Sequence, residues 1–112
     1  MKILSSKPHL HWTIHAQNKM RFYNLSESRV KRVINHPERL EEGIAPQTIA
    51  LMQPAGSRKR PYEIWVMIQD EKKEGLIKRK VISAWRYPGR TKPDRPLPPE
   101  IIQEIRQALT NN

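Results

Sequence analysis

Residues 62–87 read YEIWVMIQDEKKEGLIKRKVISAWRY, and their pattern decides the fold. Tyr62, Ile64, Val66 and Ile68 alternate with Trp65 and Met67, so both sides of this first strand are apolar. A strand with two apolar faces is covered on both. GLIKRKVISAWRY (75–87) reads as a second strand. It is amphipathic early and apolar on both sides later, at Val81, Ile82, Ala84 and Trp85. That change predicts that its second half is central in a sheet. DEKKEG (70–75) predicts a hairpin loop between the two. Unbroken alternation puts Lys78 and Lys80 on one face and Arg79 on the other, with Trp85.

Outward from the hairpin, QTIALMQ (47–53) predicts another strand and HWTIH (11–15) a short one. Residues 16–22 suit a short helix with Ala16, Met20 and Phe22 inward. Asn24 tolerates the left-handed backbone that ends such a helix. Ser26 is a good N-cap for the next one. That helix carries Leu25, Val30, Val33 and Ile34 on one stripe and leaves Arg29, Lys31 and Arg32 outside it; Pro37 ends it. Residues 88–99 are a proline-rich, extended connector, and residues 99–110 a C-terminal helix with an isoleucine-rich stripe. The order β-α-α-β-β-β-α predicts a single α+β domain over 1–112, with helices on an antiparallel sheet of about four strands.

The chain has 112 residues, with 21 Lys and Arg against 11 Asp and Glu, a formal charge of +10. Its pI is about 10.3. This excess points to a polyanionic partner, nucleic acid before an acidic membrane. Between 71 and 95 lie nine cations (72, 73, 78, 79, 80, 86, 90, 92, 95) and three acids (71, 74, 94). No acid precedes Glu27, and Glu38, Glu41 and Glu42 cluster in the middle. This asymmetry predicts one basic face. There is no cysteine, which excludes disulfides, thiolate metal sites and thiol nucleophiles. The start lacks a signal-peptide core, and no apolar run approaches the roughly 20 residues of a membrane span. The sequence reads as a cytoplasmic protein without a membrane partner.

His15 is the first candidate for chemistry. A histidine holds or donates a proton near neutral pH. Lys19, four residues on, shares its helix face. RNA cleavage needs the 2′-hydroxyl deprotonated, the leaving oxygen protonated and the charged phosphorane stabilised, which a histidine with nearby cations serves in part. His15 equally suits a packing role at the helix start. Arg86 and Tyr87 end the last strand, where an arginine can grip phosphate and a tyrosine can stack. They fit an edge cation and a core-closing ring as well. Arg21, Lys78, Arg79, Lys80, Arg58 and Arg60 are candidates for phosphate contacts, or for solvated surface. His9, His11 and His15 lie close in sequence, but no carboxylate accompanies them and the spacing matches no metal motif, so neither a metal nor a cofactor is expected.

IHAQNKM, then NLSESRVKRVINHP, then a strand ending VISAWR, resembles the DUF4258 family of small bacterial domains and is similar to the BrnT-type toxins. Both belong with the RelE/ParE-like toxin superfamily. The resemblance covers about residues 11–87. It implies a RelE-like fold: two N-terminal helices packed on a twisted antiparallel sheet. It implies metal-independent RNA cleavage, often on the ribosome, and an acidic antitoxin partner. His15 matches the family's histidine, Lys19 falls where the family has an arginine, and Arg86 matches the arginine closing the last strand.

Three functions follow as expectations. The first is a metal-independent endoribonuclease of the RelE-like toxin type, with His15 as general acid or base. Lys19, Arg79 and Arg86 would hold phosphate, and Tyr87 would orient or stack. The second is a non-catalytic RNA- or ribosome-binding module using the same basic face. The third is an interaction domain whose charge is incidental.

Overall fold

In the computed structural model, which describes residues 9–43, 47–93 and 99–111, two long strands form the spine. They are β4 (Pro61–Lys73) and β5 (Leu76–Pro88). Before them come β1 (His9–Trp12), α1 (Ile14–Phe22), α2 (Glu27–Asn35), β2 (Arg39–Glu42) and β3 (Thr48–Gly56); α3 (Pro99–Asn111) follows. The sheet order is β1-β5-β4-β3-β2. β1 runs parallel to β5, and the other neighbours are antiparallel.

This corrects the RelE-like expectation of two N-terminal helices on an antiparallel sheet of about four strands. Among the described residues the sheet is mixed, with five strands, and there are three helices. Two physical reasons hid this. β2 (RLEE) has a single apolar residue, Leu40, which is 60% exposed, so it shows no core pattern. The parallel pairing joins residues almost 70 positions apart, such as Trp12 and Val81, and no local pattern encodes it.

The hairpin is also longer than DEKKEG implies. Both strands continue to Lys73 and Leu76, leaving a two-residue turn. Glu74 (φ 53°) and Gly75 (φ 80°) both adopt left-handed backbone, as a type I′ turn requires.

Two cores sandwich the sheet. On one face Ala16, Met20, Leu25, Val30, Val33 and Ile34 of the N-terminal helical segment meet Leu51, Ile64, Val66, Ile68, Val81 and Ala84. On the other, Trp65 and Trp85 stack at 5.9 Å with planes 3° apart, and Ile101 of α3 joins them beside Met67 and Ile82. Phe22 does not point inward; it is 76% exposed. The helix starts earlier than the sequence predicts, at Ile14, because Thr13 caps it.

A register shift between Met67 and Ile68 marks a bulge: Met67 pairs with Ser83, but Ile68 pairs with Val81. The extra residue, Ile82, reverses the alternation of everything before it. Arg79 therefore lies on the Val81 side, with α2, and not with Trp85.

The start of the proline-rich connector closes over the second core. Glu63, buried, accepts bonds from Trp65 Nε1 (2.9 Å) and from Thr91 N (3.1 Å) and Oγ1 (2.7 Å). Arg39 donates to the Thr91 carbonyl (2.9 Å) and hydroxyl (2.6 Å), and its guanidinium lies 5.0 Å over the Trp65 ring. Its Nε approaches Glu41 to 2.8 Å without hydrogen-bond alignment. Residues 94–98 of the connector lie outside the described residues.

Candidate nucleic-acid interface

Thr13 fixes the position of His15. Its hydroxyl accepts from Ala16 N (3.0 Å) and donates to Val81 O (3.0 Å), which pins the start of α1 to β5 beside the bulge. Ser83, paired with Met67 just past the bulge, meets His15, with Oγ 3.2 Å from Nε2. Ser83 is 2% exposed. Burial, and secondly the charge of Lys19, push the His15 pKa down, while Glu104 opposes them. These effects favour the neutral imidazole, a base and a hydrogen-bond partner.

Lys19 follows one turn later on the same face. It forms an ion pair with Glu104 of α3 and sits 5.5 Å from the Phe22 and Tyr23 ring centres. Phe22 stacks edge-on against Tyr23 (4.8 Å, 86°).

Arg86 and Tyr87 are consecutive in β5, so their side chains leave opposite faces. Arg86 pairs with Ile64 on the α2 side, and its Nη2 donates to Tyr23 O (3.1 Å). Its guanidinium lies 4.6 Å over the Tyr62 ring, while its buried Nε has no hydrogen-bond partner among the described residues. Tyr87 packs half-buried against the tryptophan core. The four residues expected to act together, His15, Lys19, Arg86 and Tyr87, are thus not gathered on one surface.

The expected phosphate contacts divide as well. Arg79 is engaged by both Asp70 oxygens (2.7 and 2.9 Å), and this bonding raises its already high pKa. Lys80 pairs with Glu71 (2.7 Å), whose pKa that contact lowers. Arg21 donates to Asn18 Oδ1 (2.6 Å). Lys78 is exposed, as are Arg58 and Arg60 in the β3–β4 turn, which Arg60 N closes on Ser57 Oγ (3.1 Å).

A denser cationic group lies around Tyr62, at the same end of the sheet as that turn. Arg29 Nη1 donates to Gln53 Oε1 (2.6 Å). Gln53 Nε2 in turn donates to the carbonyls of Arg32 (3.1 Å) and His36 (2.8 Å), so one amide holds the guanidinium and ties down the end of α2. Arg90 donates to Tyr62 O and to Ala55 O (3.3 Å). The Arg29 pKa is lowered by burial first, then by the like charges of Arg32 and, more weakly, Arg86. Among the described residues no carboxylate forms an ion pair with Arg29, Arg32, Arg86 or Arg90.

Sequence reasoning placed Arg29 and Arg32 outside the apolar stripe of α2 but did not single them out. Their neighbours Arg86 and Arg90 arrive through the β4–β5 register, which pairs Ile64 with Arg86 and Tyr62 with Pro88.

The fold and this surface define an α+β protein with an arginine cluster, lacking a carboxylate partner among the described residues, at one end of a mixed sheet. Comparison with protein-family models, with curated proteins and with solved structures gives no match.

Proposed function

We propose that this protein is a non-catalytic RNA-binding module and that the Tyr62 end of the sheet is its phosphate-binding surface. The observation that carries this reading is the gathering of Arg29, Arg32, Arg86 and Arg90 without a described carboxylate partner. Like charges held together raise the energy of the free protein, and a phosphate backbone relieves that repulsion. Arg58, Lys59 and Arg60 extend the surface along the exposed turn. Such contacts grip the backbone and carry no sequence information, so the affinity is general and salt-sensitive.

The test is fluorescence anisotropy of a labelled single-stranded RNA across a salt series from about 50 to 200 mM, where phosphate-driven affinity falls steeply. Each phosphate contact contributes about 0.7 to the log–log slope on single strands, so Arg29→Ala and the double change Arg58→Ala/Arg60→Ala should flatten it. A salt-independent affinity, or the same slope in every variant, would sink the reading. Release of bound RNA by an acidic protein would identify a competing partner of the antitoxin kind.

One observation favours a second reading, endoribonuclease activity centred on His15. Its neutral imidazole is the form that accepts a proton from a 2′-hydroxyl. Incubation of an RNA pool with the protein in EDTA, with and without ribosomes and beside His15→Ala, tests it. Cleavage lost in the variant with binding retained supports this reading over the first; intact RNA in both settings removes it.

A further inference from the structure

Between α2 and the β1 edge runs a cavity of about 460 Å³, far from Tyr62 in the β4–β5 register and untouched by the reading above. That volume is typical of small-ligand sites. Its chemistry is two-sided. Leu10 and Trp12 of β1 and Ile34 of α2 form an apolar wall. Trp12 is only partly buried, and its indole N–H has no hydrogen-bond partner among the described residues. Lys31 of α2 and Arg79, the cross-strand neighbour of Leu10, line it too, with His9 at the strand's start, and among the described residues no carboxylate lines the cavity.

Arg79 is pre-oriented here. Asp70 holds its Nε and Nη2, which leaves Nη1 with both donors unused among the described residues. Asp70 offsets one positive charge and Lys31 has no described ion-pair partner, so the rim keeps a net positive charge. Arg79 faces this cavity only because the bulge at Ile82 turns it to the α2 side. Asn35 adds an amide able to donate and accept at once.

We propose that this cavity binds one nucleotide: the base lies on the Trp12 indole, Asn35 reads a polar edge of it, and the phosphate sits between Lys31 and Arg79. An aromatic plane beside two cations suits a planar ring carrying a dianion better than an aliphatic acid. The nucleotide is either a free mononucleotide or the terminal nucleotide of an RNA chain. This proposal stands independently of the RNA surface around Tyr62.

The test titrates the full chain with AMP, GMP, CMP and UMP by calorimetry, and follows tryptophan fluorescence in parallel. Trp65 and Trp85 are stacked in the core, so the quench reports on Trp12. Saturable binding is expected, with the quench lost in Trp12→Phe. The matching nucleosides, which lack phosphate, should bind at least about tenfold more weakly, and exposed Lys31→Ala should cost a similar factor. Adenylyl dinucleotides phosphorylated at the 5′ or 3′ end separate the sources: affinity equal to AMP identifies a chain end, and much weaker affinity a free nucleotide.

The proposal is overturned by the absence of heat and quench at millimolar nucleotide, or by nucleosides binding as well as nucleotides. It is also overturned if Lys31→Ala has no effect. If RNA still binds in those cases with a steep salt slope, the Tyr62 surface survives and the cavity alone is refuted.

Discussion

His15 Nε2 lies 3.2 Å from the hydroxyl of Ser83, the residue just past the bulge in β5. The sequence presents this histidine as an acid or base among cations, and the structure places it half inside the protein. Burial and Lys19 both disfavour its charged form. In an NMR titration of the imidazole C2 proton, His15 should titrate below the ordinary value of 6.5. The sign for stability follows. The unfolded chain takes up the proton first as pH falls through 6.5, so the folded state loses stability from there down through the lowered folded pKa. Above 6.5 this group contributes no pH dependence. Urea unfolding at pH 7.5 and 5.5 should show the loss, and His15→Asn should reduce the difference. A His15 titration at or above 6.5 would contradict the burial argument.

Glu104 opposes that shift from across the helix pair, because its negative charge favours imidazolium. Glu104→Gln should therefore move the His15 midpoint further down in the same titration. The ion pair with Lys19 is partly solvent-screened, with the Glu104 side chain 38% exposed. Its loss should cost no more than about 1 kcal/mol in urea melts. An upward move of the His15 midpoint would show that Lys19, freed of its partner, has left the histidine's surroundings.

The β4–β5 turn offers a test with no packing contribution. Gly75 has φ 80°, and a Cβ added there meets nothing within 4 Å. Gly75→Ala should destabilise by about 1 kcal/mol from backbone strain alone, whereas Gly75→Asn should cost less. Chemical denaturation of the two variants compares them directly. Equal stability of both with the parent would mean that the turn relaxes out of the I′ geometry.

How far the sequence discloses this molecule depends on the range of each signal. Ser26 reads correctly as the cap of α2, with its hydroxyl 3.0 Å from Arg29 N, and Asn24 adopts the left-handed backbone (φ 57°). Both are local backbone effects carried by one or two side chains. The two faces of β4 also read correctly, because period two is fixed by the pleat. Arg79 reads incorrectly, because one inserted residue at Ile82 inverts the alternation and nothing in KRKVISAW marks it. The arginine cluster is equally hidden, since Arg29 and Arg86 are 57 positions apart and meet only through the sheet. The resemblance aligned His15, Lys19 and Arg86 along the chain, but the strand pleat sets Arg86 on the α2 side, bound to the Tyr23 carbonyl.

Gln53 joins the stability of α2 to the arginine surface. Its oxygen accepts from Arg29 (2.6 Å), and its nitrogen donates to the carbonyls of Arg32 (3.1 Å) and His36 (2.8 Å), where the helix has run out of its own donors. Gln53→Ala removes all three bonds. At about 0.5–1.5 kcal/mol for each net bond, offset by water entering a half-open site, the expected loss is roughly 1–2 kcal/mol in urea unfolding. Gln53→Glu separates the two roles. A carboxylate still accepts from Arg29, and more strongly, but it faces the Arg32 and His36 carbonyls without a donor. It also adds a negative charge to a cluster that has no described carboxylate partner. Gln53→Glu should therefore weaken RNA binding more than Gln53→Ala in the salt-series anisotropy assay, although it keeps Arg29 in place. If instead Gln53→Ala is the weaker binder, the position of Arg29 matters more than the cluster's net charge, and the phosphate contact is directional.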